Sequence, residues 1–212
     1  MSPNHAAAPS IGVLISGRGT NLQALIDAID DGRLNAGIAV VISNRPGAAG
    51  LARARDTGIP TLVIDHTQFR DRGDFDGALA SALKSHTVSL VCLAGFMRLI
   101  GPRLLDAFPN AILNIHPSLL PAFPGVEAPR QALEHGVRVS GATVHLVTGE
   151  LDGGPIVRQA AVPVHDDDSV ETLSARILVE EHRIYPEAVR IVLDGGWRVE
   201  GRRFIRTAPA AS

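Results

Sequence analysis

Short apolar runs alternating with helix-patterned segments through the first half of the chain do most to limit its fold. Ile11 to Ile15 is followed by Gly17 and Gly19, then by Leu22, Leu25, Ile26 and Ile29 at helical spacing. Ile38 to Ile42 reads as the next strand, Ser43 to Gly47 as a turn, and Ala48 to Thr57 as a helix stopped by Gly58. Thr61 to Ile64, a helix from about Phe69 to Lys84, Val88 to Leu93 and the run ending at Asn114 continue the alternation. Such a pattern pairs strands in parallel through crossover helices, so the expected class is α/β with a doubly wound, Rossmann-like sheet.

Beyond Pro121 the rhythm changes. Pro121 to Gly125 reads as a loop, Arg130 to Glu134 as a short helix closed by Gly136, and Thr143 to Val147 and Ile156 to Val162 as strands. Ser169 opens the longest helical pattern, which breaks at Gly195-Gly196, and Trp197 to Phe204 reads as a small hairpin. With no internal repeat or flexible linker, a single domain over residues 11–205 is expected, between loose tails at 1–10 and 206–212.

Bulk properties exclude several classes of function. At 212 residues the chain can bury a substantial core. A net charge of -2 with eight histidines carries no polyanion-binding signature, and scarce aromatics argue against a base-stacking platform, so no nucleic acid is expected as a partner. Cys92, alone of its kind and inside the apolar run Leu90 to Ala94, suits a reducing compartment. Met1 to Ser10 lacks a signal-peptide pattern, and no apolar run reaches membrane-spanning length. A cytoplasmic, soluble protein with no membrane partner is therefore expected.

Chemistry concentrates in Asn114-Ile115-His116-Pro117-Ser118-Leu119-Leu120-Pro121. Alternating strand geometry points Asn114 and His116 to one side. They sit at the carboxyl end of a strand, the edge where open α/β sheets bind ligands. The amide can donate to a developing oxyanion, and the imidazole can donate or move a proton near neutral pH. The plainer reading is that Asn114 caps the loop and His116 packs against it. Ser16-Gly17-Arg18-Gly19-Thr20-Asn21-Leu22 follows a strand and opens a helix, where unpaired amides and the positive dipole end suit a phosphate. It lacks both the dinucleotide spacing and the Walker lysine, which leaves a smaller phosphate ester or a tight turn without a ligand. In Leu151-Asp152-Gly153-Gly154-Pro155-Ile156, Asp152 either shapes the turn or stands beside His116, raising the imidazole pKa and keeping it protonated.

Together with Leu93-Ala94-Gly95-Phe96-Met97-Arg98, these motifs resemble phosphoribosylglycinamide formyltransferase, the folate-dependent family of purine synthesis. The resemblance runs from about Ile11 to Phe204. It implies a three-layer α/β/α formyltransferase fold whose mostly parallel sheet has a later antiparallel strand. It also implies formyl transfer from 10-formyltetrahydrofolate, as co-substrate, to the amine of glycinamide ribonucleotide, with no metal. The family's catalytic residues fall on Asn114, His116 and Asp152. Its phosphate loop falls on Gly19, Thr20 and Asn21, and Glu181 would contact the substrate near its amine. The folate pocket falls on Arg72, with Arg70 as the alternative, on Met97, Arg98, Leu99 and Ile100, and on Asn114. Small-molecule substrates are thus the expected partners, and a homodimer is compatible with the resemblance.

The chain departs from some relatives at Val126-Glu127-Ala128-Pro129, where they carry histidines, and Arg18 adds a charge to the phosphate turn. His145, on a strand that reads as buried, either bonds substrate or packs. Formyltetrahydrofolate hydrolase and methionyl-tRNA formyltransferase carry extra domains for which the first strand at Ile11 and the closing hairpin leave no room. A sugar-phosphate binding module would not require Asn114, His116 and Asp152 together. A metallohydrolase built on His116, His145 and Asp152 is the remaining rival.

Overall fold

The computed structural model describes residues 8–207. Its main sheet has seven strands in the order β3-β2-β1-β4-β5-β6-β7. These are β1 (Ser10–Ile15), β2 (Gly37–Ser43), β3 (Thr61–Val63), β4 (Leu90–Leu93), β5 (Ile112–His116), β6 (Val139–Leu146) and β7 (Ile156–Pro163). The pairings of β1 with β2 and β4, β2 with β3, and β4 with β5 are parallel, whereas β6 runs antiparallel to both β5 and β7. A hairpin, β8 (Trp197–Glu200) and β9 (Arg203–Arg206), forms a separate two-stranded sheet.

Side-chain alternation along the parallel strands builds cores on both faces. Ile11, Val13 and Ile15 of β1 point to one face, where they meet α1 (Thr20–Asp30), α2 (Gly50–Asp56), α5 (Ala128–Glu134) and α6 (Val170–Leu193). Leu14 points to the other, with α3 (Arg72–Ser85) and α4 (Pro102–Ala107). The expected three layers and later antiparallel strand are both present. Because strand order reverses between β1 and β4, the crevice at their carboxyl ends is a topological switch point, the preferred ligand position in open α/β sheets.

Several boundaries differ from expectation for local reasons. Helix α4 has only six residues, too few for an apolar period to register, although Gly101-Pro102 is a sound start signal. Strand β6 begins at Val139, four residues before Thr143, because Ser140-Gly141-Ala142 carries little strand signal. Gly141 is needed there, since a Cβ would run into the backbone carbonyl of Ala160. Strand β1 takes in Ser10 and β9 takes in Arg206, each one residue into an expected tail, while residues 1–7 and 208–212 of those tails lie outside the described residues.

Helix α6 is the principal brace. Its first turn is closed by a Ser169–Thr172 capping box. Tyr185, fully buried, donates to the Leu93 carbonyl at 2.9 Å and lies 3.3 Å from that of Leu113, so α6 is tied to both β4 and β5. Tyr185→Phe is expected to cost about 1–2 kcal/mol, a hydrogen bond lost with carbonyls left buried, as measured by urea denaturation. A loss under about 0.3 kcal/mol would show that the tie contributes nothing, since even a weak net hydrogen bond exceeds that value. Beside it, burial pushes the Cys92 thiol up to about 12, so it packs as a small apolar group with no thiolate chemistry.

Candidate active site

The strand period that aligns Asn114 with His116 also determines their neighbours. In the antiparallel register Asn114 lies opposite His145 and His116 opposite Thr143, and cross-strand partners share a face. The Asn114 amide nitrogen is 3.2 Å from His145 Nε2. His145 Nδ1 lies 3.0 Å from the Leu146 carbonyl, which can only accept, so Nδ1 carries the proton and Nε2 accepts from Asn114. Among the described residues this leaves the second amide hydrogen of Asn114 free. His145 is therefore neither a loose packing residue nor a free ligand. It orients the Asn114 amide.

Asp152 closes the cluster. Its Oδ2 is 3.5 Å from His116 Nδ1 and its Oδ1 is 3.6 Å from His145 Nε2. The residue has a positive φ of 50° in the tight 150–154 turn, and Gly154 is packed so closely that a Cβ would strike the Leu146 carbonyl. The turn therefore comes back onto the end of β6 and delivers the carboxylate to both rings. Sequence spacing left that meeting open, and the structure brings the groups together.

A loop lies across the cluster. His116 Nε2 is 2.8 Å from the Phe123 carbonyl and so donates to it, while the Gly125 amide donates to Asp152 Oδ2 at 2.8 Å. The segment before this loop is held from below. Thr143 Oγ1 donates to the Ser118 carbonyl at 2.7 Å and accepts from the Leu120 amide at 3.1 Å, and Gln159 donates to the Leu120 carbonyl at 2.9 Å. Neither Phe123 nor Gly125 carries a side-chain signal, because both act through the backbone.

Charge states follow from burial. Burial, the largest influence, pulls the His116 pKa down, and nearby His145 adds to this. The bond to Phe123 and the Asp152 carboxylate oppose it without cancelling it. The expected protonated His116 is thus corrected: the ring is neutral near pH 7, with its proton on Nε2. Asp152 shows the opposite balance. Burial pushes its carboxyl up, but hydrogen bonding around it, with the Gly125 amide donating to Oδ2, outweighs this and holds the carboxyl below the usual carboxylate range.

The glycine turn stands across the crevice from β5. Gly19 caps α1 in the left-handed conformation, φ 70°, with no side-chain cap, so the first amides of α1 stay open to a ligand. A cavity of about 780 Å³ is lined by Gly19, Thr20, Asn21, Glu181 and Met97 and reaches Ile115 and Pro117, which flank His116. Asn21 Nδ2 donates to Glu181 Oε2 at 2.8 Å, while its buried Oδ1 has no partner among the described residues. Burial pushes the Glu181 carboxyl up, and the Asn21 bond offsets this in part.

The expected folate residues are less closely gathered. Met97, Arg98 and Leu99 are exposed on the loop after β4, Ile100 is half-buried, and only Met97 of these borders the cavity. The loop is fastened to the glycine turn, since Ser16 Oγ accepts from the Met97 amide at 2.8 Å and donates to Asn44 at 2.6 Å. Arg72 starts α3, with its Cδ beside Gly101 at the end of that loop. Arg70 precedes α3 and is exposed. Among the described residues no group of three or more histidine, cysteine or carboxylate side chains is arranged to hold a metal ion, and no helix is long and apolar enough to cross a membrane.

Comparisons with known proteins agree with this geometry. The family model described as formyl transferase matches residues 10–189. The phosphoribosylglycinamide formyltransferase of Escherichia coli K12 is 44% identical over 186 residues, which cover 88% of each protein. The trifunctional purine biosynthetic protein adenosine-3 of Gallus gallus is 49% identical over 189 residues, 89% of this chain but only 19% of that protein's length. The crystal structure of glycinamide ribonucleotide transformylase 1 from Symbiobacterium toebii superposes with a TM-score of 0.94 at 57% identity, covering 96% of both chains. The chain belongs to the formyl transferase family, on its phosphoribosylglycinamide formyltransferase branch.

Proposed function

We propose that this protein transfers the formyl group of 10-formyltetrahydrofolate to the amine of N1-(5-phosphoribosyl)glycinamide. The products are the formylglycinamide ribonucleotide and tetrahydrofolate, in purine synthesis. The observation that carries the reading is the linked cluster of Asn114, His116, His145 and Asp152 at the carboxyl end of β5, on the same edge of the sheet as the open amides of the Gly19 turn. A site for a formyl acceptor bearing a phosphate needs both. Exposed apolar side chains on the surrounding loops, Met97, Leu99, Val126 and Leu151, suit the flat ring system of a folate. The reading places the work in the cytoplasm and makes the two substrates the protein's partners.

The amine nitrogen attacks the formyl carbon, and the carbonyl electron pair moves onto oxygen. The free amide hydrogen of Asn114 and the Nε2 hydrogen of His116 stabilise that oxyanion, with Nε2 turning from the Phe123 carbonyl to the substrate. A neutral ring is a sufficient donor, and the one proton that moves is the amine's, whose passage the Asp152 carboxylate assists by raising the affinity of the adjacent Nδ1 for it. Collapse breaks the bond to the folate nitrogen, which takes the proton lost by the amine through water ordered at Asp152.

Mass spectrometry of the ribonucleotide after incubation with protein and 10-formyltetrahydrofolate tests the reaction. A gain of one formyl group is expected, and an unchanged mass counts against it. Asn114→Ala is expected to lower kcat by about 10²–10³-fold with both KM values nearly unchanged, the cost of one oxyanion donor. If KM rose instead, Asn114 would be a ground-state binder.

A further inference from the structure

The substrate cavity has a charge polarity that the phosphate loop alone does not explain. Among the described residues its lining includes two cations, Arg18 and Arg45, and they stand at the same end. Arg18 lies in the turn after β1 and Arg45 in the turn after β2. The ends of those strands are paired, Ile15 against Ser43. The turns are stitched together, since the Gly50 amide donates to the Gly17 carbonyl at 2.9 Å and Ser16 Oγ donates to Asn44 Oδ1 at 2.6 Å. They are also packed to contact, because a Cβ on Gly19 would come within 2.7 Å of Gly50 Cα. The arginines therefore stand on one rigid ledge beside the open amides of α1.

Both guanidinium groups are uncommitted. Each is exposed, and among the described residues neither makes an ion pair or donates a side-chain hydrogen bond. The neighbouring Arg53, by contrast, is spent on the Arg18 carbonyl at 3.0 Å and on Gln23 at 3.2 Å, which fixes the Arg18 backbone from outside. The carboxylates lining the cavity are Glu127, Glu171 and Glu181, and of these Glu181 is engaged by the Asn21 side chain. A helix start supplies the equivalent of only about half a positive charge. A phosphomonoester brings about -1.5 to -2 at neutral pH. The turn amides leave most of that charge unmatched.

We propose that Arg18 and Arg45 form a two-sided cationic clamp on the phosphate, matching its second negative charge and selecting phosphorylated substrates over their nucleosides. The proposal deepens the functional reading above and rests on it for the identity of the substrate. In the complex the guanidinium groups take the outer phosphate oxygens, while the amides at Gly19 to Asn21 take the inner ones.

Kinetics of Arg18→Ala, Arg45→Ala and the double variant test it, with glycinamide ribonucleotide and with its dephosphorylated riboside. Each single change is expected to raise KM for the ribonucleotide about tenfold and the double change about a hundredfold, the loss of one and two charge-assisted bonds. The kcat and the KM for folate stay as in the natural protein, and turnover of the riboside is the same in all variants. Arg55→Ala, which removes an exposed charge from α2 outside the cavity, is the control and leaves KM unchanged. A double variant with unaltered KM overturns the clamp, as does an equal loss on the riboside, which would mark a merely structural role. Calorimetry with ribose 5-phosphate separates this result from the catalytic one. Binding by the natural protein that is lost in the double variant upholds the clamp even if no formyl group is transferred. Equal binding by both proteins, or none by the natural one, overturns it even if transfer occurs.

Discussion

Replacing His116 with alanine is expected to lower kcat by about 10²–10⁴-fold, the range for a positioned group that donates or moves a proton in the transition state. The fold should survive. The imidazole is buried at the end of β5, but the strand is held by its pairing with β4 and β6 and by Tyr185, none of which involves the ring. Both KM values should change little, because the Nε2 hydrogen reaches the formyl oxygen only as negative charge develops there. Steady-state kinetics with circular dichroism on the same preparation is the check. Turnover within about threefold of the natural protein in a folded variant would remove His116 from the reaction, since even modest acid–base catalysis exceeds that factor.

Asp152→Asn should be nearly as damaging, through a different route. In the proposed mechanism the carboxylate does not touch the formyl oxygen. It raises the affinity of His116 Nδ1 for a proton and anchors the Gly125 amide across the site. An amide in its place keeps the shape of the turn and loses the charge, so kcat is expected to fall about 10²–10³-fold, the scale of one electrostatic contact in a dry site. The titration of His116, followed by NMR, gives a second signature. In the natural protein its midpoint lies below the ordinary 6.5, because burial outweighs the favourable neighbours. Without the Asp152 charge it should fall further, whereas an upward move would show that the carboxylate does not act on the ring. Stability follows the same sign. A histidine with a depressed folded pKa contributes stability above pH 6.5 that is lost as the pH falls toward the folded midpoint, because the unfolded chain binds the proton more readily. His116→Ala removes that acid-side loss.

How much of this was legible in the sequence varied with the range of the interaction. Period-two alternation was enough to put Asn114 and His116 on one side of β5, and the glycine turn with its open amides followed from a strand running into a helix. The antiparallel β6 was not legible from periodicity, because direction leaves no mark on a single strand; only the family resemblance implied it. His145 could be placed on a strand but not opposite Asn114, since the register is set across the 118–138 excursion. The charge of His116 was misread for a related reason. A nearby carboxylate can be suspected from a motif, whereas the burial that overrides it is assembled by β6, the 121–125 loop and the Asp152 turn. Arg45 lies 27 residues after Arg18, in a turn without a motif of its own, and only the pairing of β1 with β2 brings it to the cavity.

The most direct test of the account is a balance of products. Purified protein is incubated with 10-formyltetrahydrofolate, with and without glycinamide ribonucleotide, and tetrahydrofolate, formylated ribonucleotide and formate are measured together. Direct transfer predicts tetrahydrofolate and formylated ribonucleotide in equal amounts, appearing only when the ribonucleotide is present. Tetrahydrofolate released with formate, at the same rate whether or not the ribonucleotide is added, would contradict it and make the protein a hydrolase.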